Sequence, residues 1–420
     1  MSSGSPSRPV AQVTVLLACV LAAAVYIWCA GRIYRAYRFS TRLDQIALKR
    51  AIALEPRDAR SYDLLGQYLL LNTQDPVAAV SNFKRATELD SYDSSYWQNL
   101  ARAYSALGAD HEQRDALARA AALDPTTPAV AWNAANFFLT QGRVTEALQQ
   151  FAVVLRNDPS LVTPSLDVCW RALHDVNTIE TILPENADVY LQFVKLLIAR
   201  SAWNDAHRVW ISLLQLNKDF DYRQALFYVN GLLDKGDVTH ARAVWQQLGS
   251  RSANLSRYSS PNNLVTNAIF AEAILNAGFD WRYSPQPGVS VMLDSTQSHR
   301  GNQSLLATFA DGQDTGIYEY IPVEPSTQYA VSAWVKSEEL ESANGPQIAI
   351  TDAYSNATYA LTEETVGTTS WHQVQAVFRT GPAAKLAVIR VMRDPGNTRI
   401  HGLFWIDDIS IWPTPKETDE

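Results

Sequence analysis

Residues 97–108 read Trp97-Gln98-Asn99-Leu100-Ala101-Arg102-Ala103-Tyr104-Ser105-Ala106-Leu107-Gly108, and they are followed by Leu117, Ala120 and the closing string Leu123-Asp124-Pro125. Large, small and aromatic side chains fall three or four apart, which gathers them on one face of a helix. Gly108 ends that helix, a second begins after it, and proline stops the second. A small residue lets the two helices approach closely, and an aromatic ring fills the gap above it. Working outward, one neighbouring unit reads Tyr62, Leu65, Gly66, Leu69, Ala79, Phe83 and Ala86, and another Trp132, Ala135, Leu139, Gly142, Ala147, Phe151 and Pro159. The closing strings Leu54-Glu55-Pro56, Leu89-Asp90-Ser91, Leu123-Asp124-Pro125 and Asn157-Asp158-Pro159 recur every 34 to 35 residues. That is the mark of a repeat architecture.

These residues resemble the tetratricopeptide repeat, with its large-aromatic, Leu-Gly, Tyr, Ala, Phe, Ala, Pro series. The phase weakens through Pro164 and Pro184, then returns as Tyr190, Phe193, Leu197, Ala206, Trp210 and Leu213, and again as Tyr228, Leu232, Gly236, Ala241, Trp245 and Leu248. Leu48 and Ala51 before Pro56 fit the second helix of a partial first unit. The resemblance implies an all-α superhelix over 44–250 that holds a protein partner in its groove. Gln98, Arg102, Asn133 and Asn136 lie on first helices, where either groove contacts or a solvated face would suit them. Trp97, Trp132, Trp210 and Trp245 fall at packing positions.

Before the repeats, Val10 to Ala30 contains no ionisable residue. At 1.5 Å per residue such a run crosses a hydrocarbon layer roughly 30 Å thick. Tyr26, Trp28 and Tyr34 sit at one end, where aromatic rings favour the headgroups. A single-pass helix over 10–31 is expected, after a short tail (1–9) and before a juxtamembrane segment (32–43). A cleaved signal, or a lipoprotein signal at Leu16-Leu17-Ala18-Cys19, is the rival reading. Arg32, Arg35, Arg38, Arg42, Lys49 and Arg50 follow the run and only Arg8 precedes it, so the positive-inside rule puts the remainder in the cytoplasm. The character of that remainder points to the periplasmic or extracellular side, and the sequence leaves both readings open.

Between Gly249 and Asn263 the helical period breaks, and a linker is expected over 251–262. Beyond it the period is two, as in Tyr329-Ala330-Val331-Ser332-Ala333-Trp334-Val335 and Gln347-Ile348-Ala349-Ile350. Turns are expected at Asp311-Gly312, Asn344-Gly345-Pro346, Gly381-Pro382 and Asp394-Pro395-Gly396. Eight or nine short strands over 263–414, before a tail at 415–420, suit a two-sheet sandwich.

This segment resembles the carbohydrate-binding modules of the family 4/9 type, with their galactose-binding-like jelly roll. The resemblance lies in Asn267-Ala268-Ile269-Phe270, Gly278-Phe279-Asp280-Trp281 and Ser298-His299-Arg300-Gly301-Asn302-Gln303-Ser304-Leu305. It continues in Ile321-Pro322-Val323-Glu324-Pro325, Ala333-Trp334-Val335-Lys336-Ser337, Ser370-Trp371 and Ile406-Asp407-Asp408-Ile409-Ser410. It implies sugar binding through aromatic faces flanked by polar groups. Candidates are Trp281, Tyr283, Tyr318, Tyr320, Tyr354 and Tyr359, with Gln313 and Asn356 beside them. Tyr318 and Tyr320 project to one side of a strand and make either a stacking platform or a packing pair. Trp334 and Trp371 are expected in the core. The family opens with Asn-Gly-x-Phe-Glu, where this chain has Ala268 and Ala271, so a structural calcium is expected only if Glu272 substitutes.

The chain has 420 residues, too many for one ordinary core, and a net charge of -8, which argues against a nucleic-acid partner. The seven histidines are scattered, no phosphate loop or nucleophile elbow occurs, and adjacent Asp407 and Asp408 cannot face each other as an acid/base pair. A multidomain α plus β protein that is not an enzyme is expected. As a scaffold of a bacterial cell envelope it would bind protein through its repeats and a polysaccharide through its sandwich, in exopolysaccharide or surface-polysaccharide assembly or export. The rival readings are a structural protein whose sandwich binds no sugar, and a cytoplasmic regulator.

Overall fold

The computed structural model describes residues 8–393 and 398–414. The Asp394-Pro395-Gly396 turn and the 415–420 tail lie outside the described residues, as do the first seven residues. The chain packs as two units, Met1–Leu196 and Leu197–Glu420.

In the first unit, α1 (Arg8–Ser40) precedes α2 (Gln45–Leu54), α3 (Ala59–Leu71), α4 (Pro76–Leu89), α5 (Ser94–Ala106), α6 (Asp110–Leu123), α7 (Pro128–Thr140) and α8 (Val144–Asn157). From Gln12 to Ser40, α1 is long and apolar enough to cross a membrane. Its far end runs on through the arginine-rich segment and packs at the first repeat, with Ala36 buried. Arg32 pairs with Glu55 at 3.1 Å, Arg42 and Arg50 lie over the Phe39 ring, and Arg60 lies over Tyr37. Some of these guanidinium groups therefore cap rings and a carboxylate rather than forming a purely solvated face.

The repeat strings end helices where expected: α2, α4, α6 and α8 stop immediately before Glu55, Asp90, Asp124 and Asp158. Each of these four residues donates its N–H back to the fourth residue before it, as at Glu55 N to Ala51 O (2.8 Å). Asp44, Asp75 and Asp93 begin α2, α4 and α5 by accepting a first-turn N–H. Between the helices of one pair, Phe83 lies so close to Gly66 that a Cβ there would be 2.7 Å from the ring. In another pair, Trp132 meets buried Phe151 edge-on at 5.9 Å. The out-of-phase region forms α9 (Val162–Leu173) and a five-residue α10 (Val176–Glu180) before α11 (Ala187–Ala199). Pro184 cannot continue a helix, so the second helix of this pair stays short.

The second unit contains α12 (Trp203–Gln215), α13 (Leu226–Lys235), α14 (Val238–Arg251) and the short α15 (Ala253–Ser256), followed by ten strands. They are β1 (Arg282–Tyr283), β2 (Val289–Asp294), β3 (Ser304–Gly312), β4 (Ile317–Pro322), β5 (Gln328–Glu341), β6 (Gln347–Asp352), β7 (Thr358–Leu361), β8 (Gly367–Arg379), β9 (Leu386–Met392) and β10 (Ile400–Pro413). The strands exceed the expected eight or nine because β1 and β7, of two and four residues, are too short to show a period.

Two five-stranded antiparallel sheets face each other, β1-β4-β9-β6-β7 (sheet A) and β2-β3-β10-β5-β8 (sheet B). Phe309, Val335, Ile350, Ile389 and Ile406 fill the space between them. Trp334 and Trp371 correct the expectation of core. Both are half-buried on the outer face of sheet B, where the His299 ring stacks on Trp334 at 3.8 Å and lies 6.0 Å from Trp371. Strand alternation alone does not say which of two faces is inner.

Candidate carbohydrate-binding face

Strand β4 alternates inward Ile317, Glu319 and Ile321 with half-buried Tyr318 and Tyr320. Cross-strand register extends the tyrosine side into two rows on the outer face of sheet A. One row runs Arg282, Tyr318, Arg390, Ala349, Leu361, and the other Tyr320, Val388, Thr351, Thr358. The two tyrosine rings meet edge-on, 5.7 Å apart and at 82°. Arg282 lies over Tyr320 at 5.0 Å, and Arg390 over Tyr318 at 5.9 Å. Aromatic faces edged by fixed cations can cover the C–H side of a sugar ring and bond its hydroxyls.

The helices of the same unit reach this face. Asn230 on α13 accepts from Gly278 N (2.8 Å) and from Arg282 Nη2 (2.7 Å). The Tyr354 hydroxyl donates to Leu233 O at 3.0 Å. Burial pushes the Tyr320 phenol up, and the Asp234 charge adds to that shift. On α14, Trp245 lies against Gly278 and meets Phe279 edge-on at 6.0 Å. The face is therefore open beside Arg390, which is exposed, and closed where Val388 is 2% exposed.

Other candidates sit elsewhere. Trp281 is 0% exposed and tilts against Phe270 in the core, so it offers no face to a ligand, which corrects its expected role. Tyr359 packs parallel to Phe378 at 6.2 Å, with its hydroxyl on Asp352 (2.7 Å), and Tyr283 packs against the core. Gln313 is exposed, and its backbone carbonyl accepts from Arg393. Asn356 is exposed in a loop that Asp352 holds by accepting from Tyr354 N and Ser355 N.

The residues near the family's calcium position do not fit that ion. Asp407 is buried and accepts from the N–H groups of His299, Arg300 and Asp408 at 2.7 to 2.8 Å. Ala271 supplies no oxygen ligand from its side chain, and Glu272 faces Arg257 at 3.9 Å. Among the described residues no three His, Cys, Asp or Glu side chains come together as a metal-binding group.

In the first unit, Asn133 donates to Gln98 at 3.2 Å, Asn136 donates to Trp132 O, and Arg102 is exposed. Sequence reasoning passed over Asp63, a buried carboxylate that accepts from Gln67 (2.6 Å) and Asn99 (2.8 Å). Burial raises its pKa against those two hydrogen bonds. It also passed over His207 and His240, whose rings lie 4.8 Å apart in the second unit. Asp63 with Asn99, and His207 with His240, are each separated by about one repeat, which is the signal that could have paired them.

A family model described as carbohydrate binding domain matches residues 262–396. Similar solved structures include MamA, 14% identical with a TM-score of 0.27 over 41% of this chain and 85% of that one. A structure titled "CBM4 structure and function" is 16% identical with a TM-score of 0.28 over 36% and 99%. PilF of Pseudomonas aeruginosa is 16% identical with a TM-score of 0.28 over 53% and 90%. Among curated proteins none matches. The chain is a helical-repeat protein of the tetratricopeptide kind. Its C-terminal β-sandwich is of the carbohydrate-binding 4/9 kind.

Proposed function

We propose that this protein is a membrane-tethered, non-catalytic scaffold that recruits a protein through its repeats and a glycan through sheet A, in surface-polysaccharide assembly or export outside the cytoplasm. The observation that carries the glycan reading is the pair Tyr318 and Tyr320 between Arg282 and Arg390, within the segment that matches a carbohydrate binding domain. The apolar α1 supports the tether. The test is a glycan array read with the full chain in detergent micelles, wild type against Tyr318→Ala and Arg390→Ala. Retention of a glycan by the wild type and its loss in both variants, with unchanged melting, is expected. No retention by the wild type would sink the glycan reading.

A second reading has its own observation: Tyr354 and Arg282 are already engaged with α13. In this reading the face holds the sandwich on the helices and binds no sugar. Tyr320→Ala would then lower the melting temperature while wild type and variant alike ignore the array.

A further inference from the structure

A cleft of about 520 Å³ opens away from the tyrosine face, where the segment from Arg257 to Ala271 runs beside the end of β10. After the register shift between Asp407 and Ser410, Ile409 and Ile411 enter the core, and Asp408, Ser410 and Trp412 line the cleft. The opposite wall carries Arg257 and Asn262, and Arg300 closes one end.

The walls are fixed by the chain's own hydrogen bonds. Asn263 donates to Ile409 O (2.8 Å) and accepts from Ile411 N (3.0 Å). Leu264 N donates to Ile411 O and Ile409 N to Ala268 O, each at 3.0 Å. Asn267 bonds Glu272 through both ends of its amide. The volume lies within the range of small-molecule sites, and a preformed cleft loses little entropy on binding.

The lining chemistry is specific. Trp412 is 39% exposed although its neighbours on β10 are core, so its indole is available to the cleft. Asp407 holds the backbone of His299 and Arg300, which brings the Arg300 guanidinium to 3.4 Å from the Asp408 carboxylate. An indole covers the apolar side of a pyranose, and a carboxylate beside a guanidinium accepts from one hydroxyl and donates to the next. We propose that this cleft is a second saccharide site, taking one hexopyranose unit through Trp412, Asp408 and Arg300. It shares no residue with the sheet A face and stands whether or not that face binds sugar.

The test titrates the full chain in detergent micelles with the methyl pyranosides of glucose, galactose, mannose and glucuronic acid, read by saturation-transfer NMR. At least one should bind the wild type. Affinity should fall about tenfold or more in Trp412→Ala and Asp408→Asn, the equivalent of about 1.4 kcal/mol, and remain within about twofold in Trp412→Phe and Tyr318→Ala. Backbone amide exchange confirms that each variant folds. Absence of binding by all four glycosides overturns the proposal, as does binding that survives Trp412→Ala. Binding lost in Tyr318→Ala and kept in Asp408→Asn assigns the sugar to sheet A and overturns it equally.

Discussion

An Ala-x-x-x-aromatic step recurs in the second helices of the repeats, at Ala79/Phe83, Ala147/Phe151, Ala206/Trp210 and Ala241/Trp245. Phe83 and Trp245 show how one local pattern serves two ends. Phe83 is 0% exposed and presses on Gly66 of its own helix pair. Trp245 presses on Gly278 instead, beyond the last helix, where a Cβ would be 2.3 Å from the indole and φ is +63°. An aromatic that closes a repeat in one unit thus attaches a β-sandwich in the other. The difference lies in the element that each pair meets next along the chain: a further helix after α4, and the Gly278-Phe279 corner after α14.

The largest effects should come from the rings themselves. Phe83→Ala and Trp245→Ala should each cost about 3 to 5 kcal/mol, as deletions of large buried aromatics do. Their footprints should differ when amide exchange is followed by mass spectrometry. Phe83→Ala should deprotect peptides of α3 and α4. Trp245→Ala should deprotect α13, α14 and residues 277–283 together. Native protection at 277–283 in Trp245→Ala would break the comparison. Gly278→Ala sharpens it, since its cost of about 1 to 3 kcal/mol from overpacking should fall on the same peptides.

The docking corner should also respond to pH, whereas the Phe83 contact has no titratable partner in its two rings. Asp280, wholly buried two residues after Gly278, has its carboxyl pushed up to about 7 by burial, and burial raises Glu319 in the same direction. A carboxyl whose native pKa is raised holds its proton more tightly folded than unfolded. Its contribution is fully present below the unfolded value of 3.8 and is lost as pH rises towards 7. The loss attributable to Asp280 over that window is on the order of 4 kcal/mol. Protection at 277–283 should fall between pH 4 and 7 in the wild type and fall less in Asp280→Asn. Equal slopes in the two proteins would remove Asp280 from the account.

The helical half was legible because its determinants are local. A 34-residue spacing, a glycine opposite a ring and an acid-proline stop each act within one helix pair, and α2, α4, α6 and α8 end at the expected strings. The sandwich was legible as a class because period two is local as well. The candidate face was legible only in part. Tyr318 and Tyr320 share a side by alternation, but Arg390 joins them through register with a strand about 70 residues away, which no local pattern encodes. Trp281, Trp334 and Trp371 exchanged places with expectation because a strand's two sides look alike until the opposing sheet and the covering helix are known. Trp412 comes after a bulge at which alternation restarts, so its outward direction was not readable either.

The smallest effect tests the rim of the same docking contact. Tyr354 is 49% exposed, yet its hydroxyl spans 121 residues of sequence to reach Leu233 O, close to the last turn of α13, where the final carbonyls of a helix lack partners within the helix. Gly236, in the left-handed conformation that ends α13, passes 3.8 Å from the same ring at its own virtual Cβ, so the ring and the helix end are in contact as well as bonded. Tyr354→Phe keeps that contact and removes only the hydrogen bond. It should therefore cost about 0.5 to 1.5 kcal/mol, read as faster exchange in α13 with α3 and α4 unchanged. Tyr354→Ala should cost more, because it also removes the ring. If Tyr354→Phe and Tyr354→Ala behave identically, the ring contributes nothing and docking rests on Trp245 and Asn230 alone. If Tyr354→Phe is silent while Tyr354→Ala is not, the rim is held by contact and the hydroxyl is free for a ligand, which would favour the glycan reading of sheet A over the structural one.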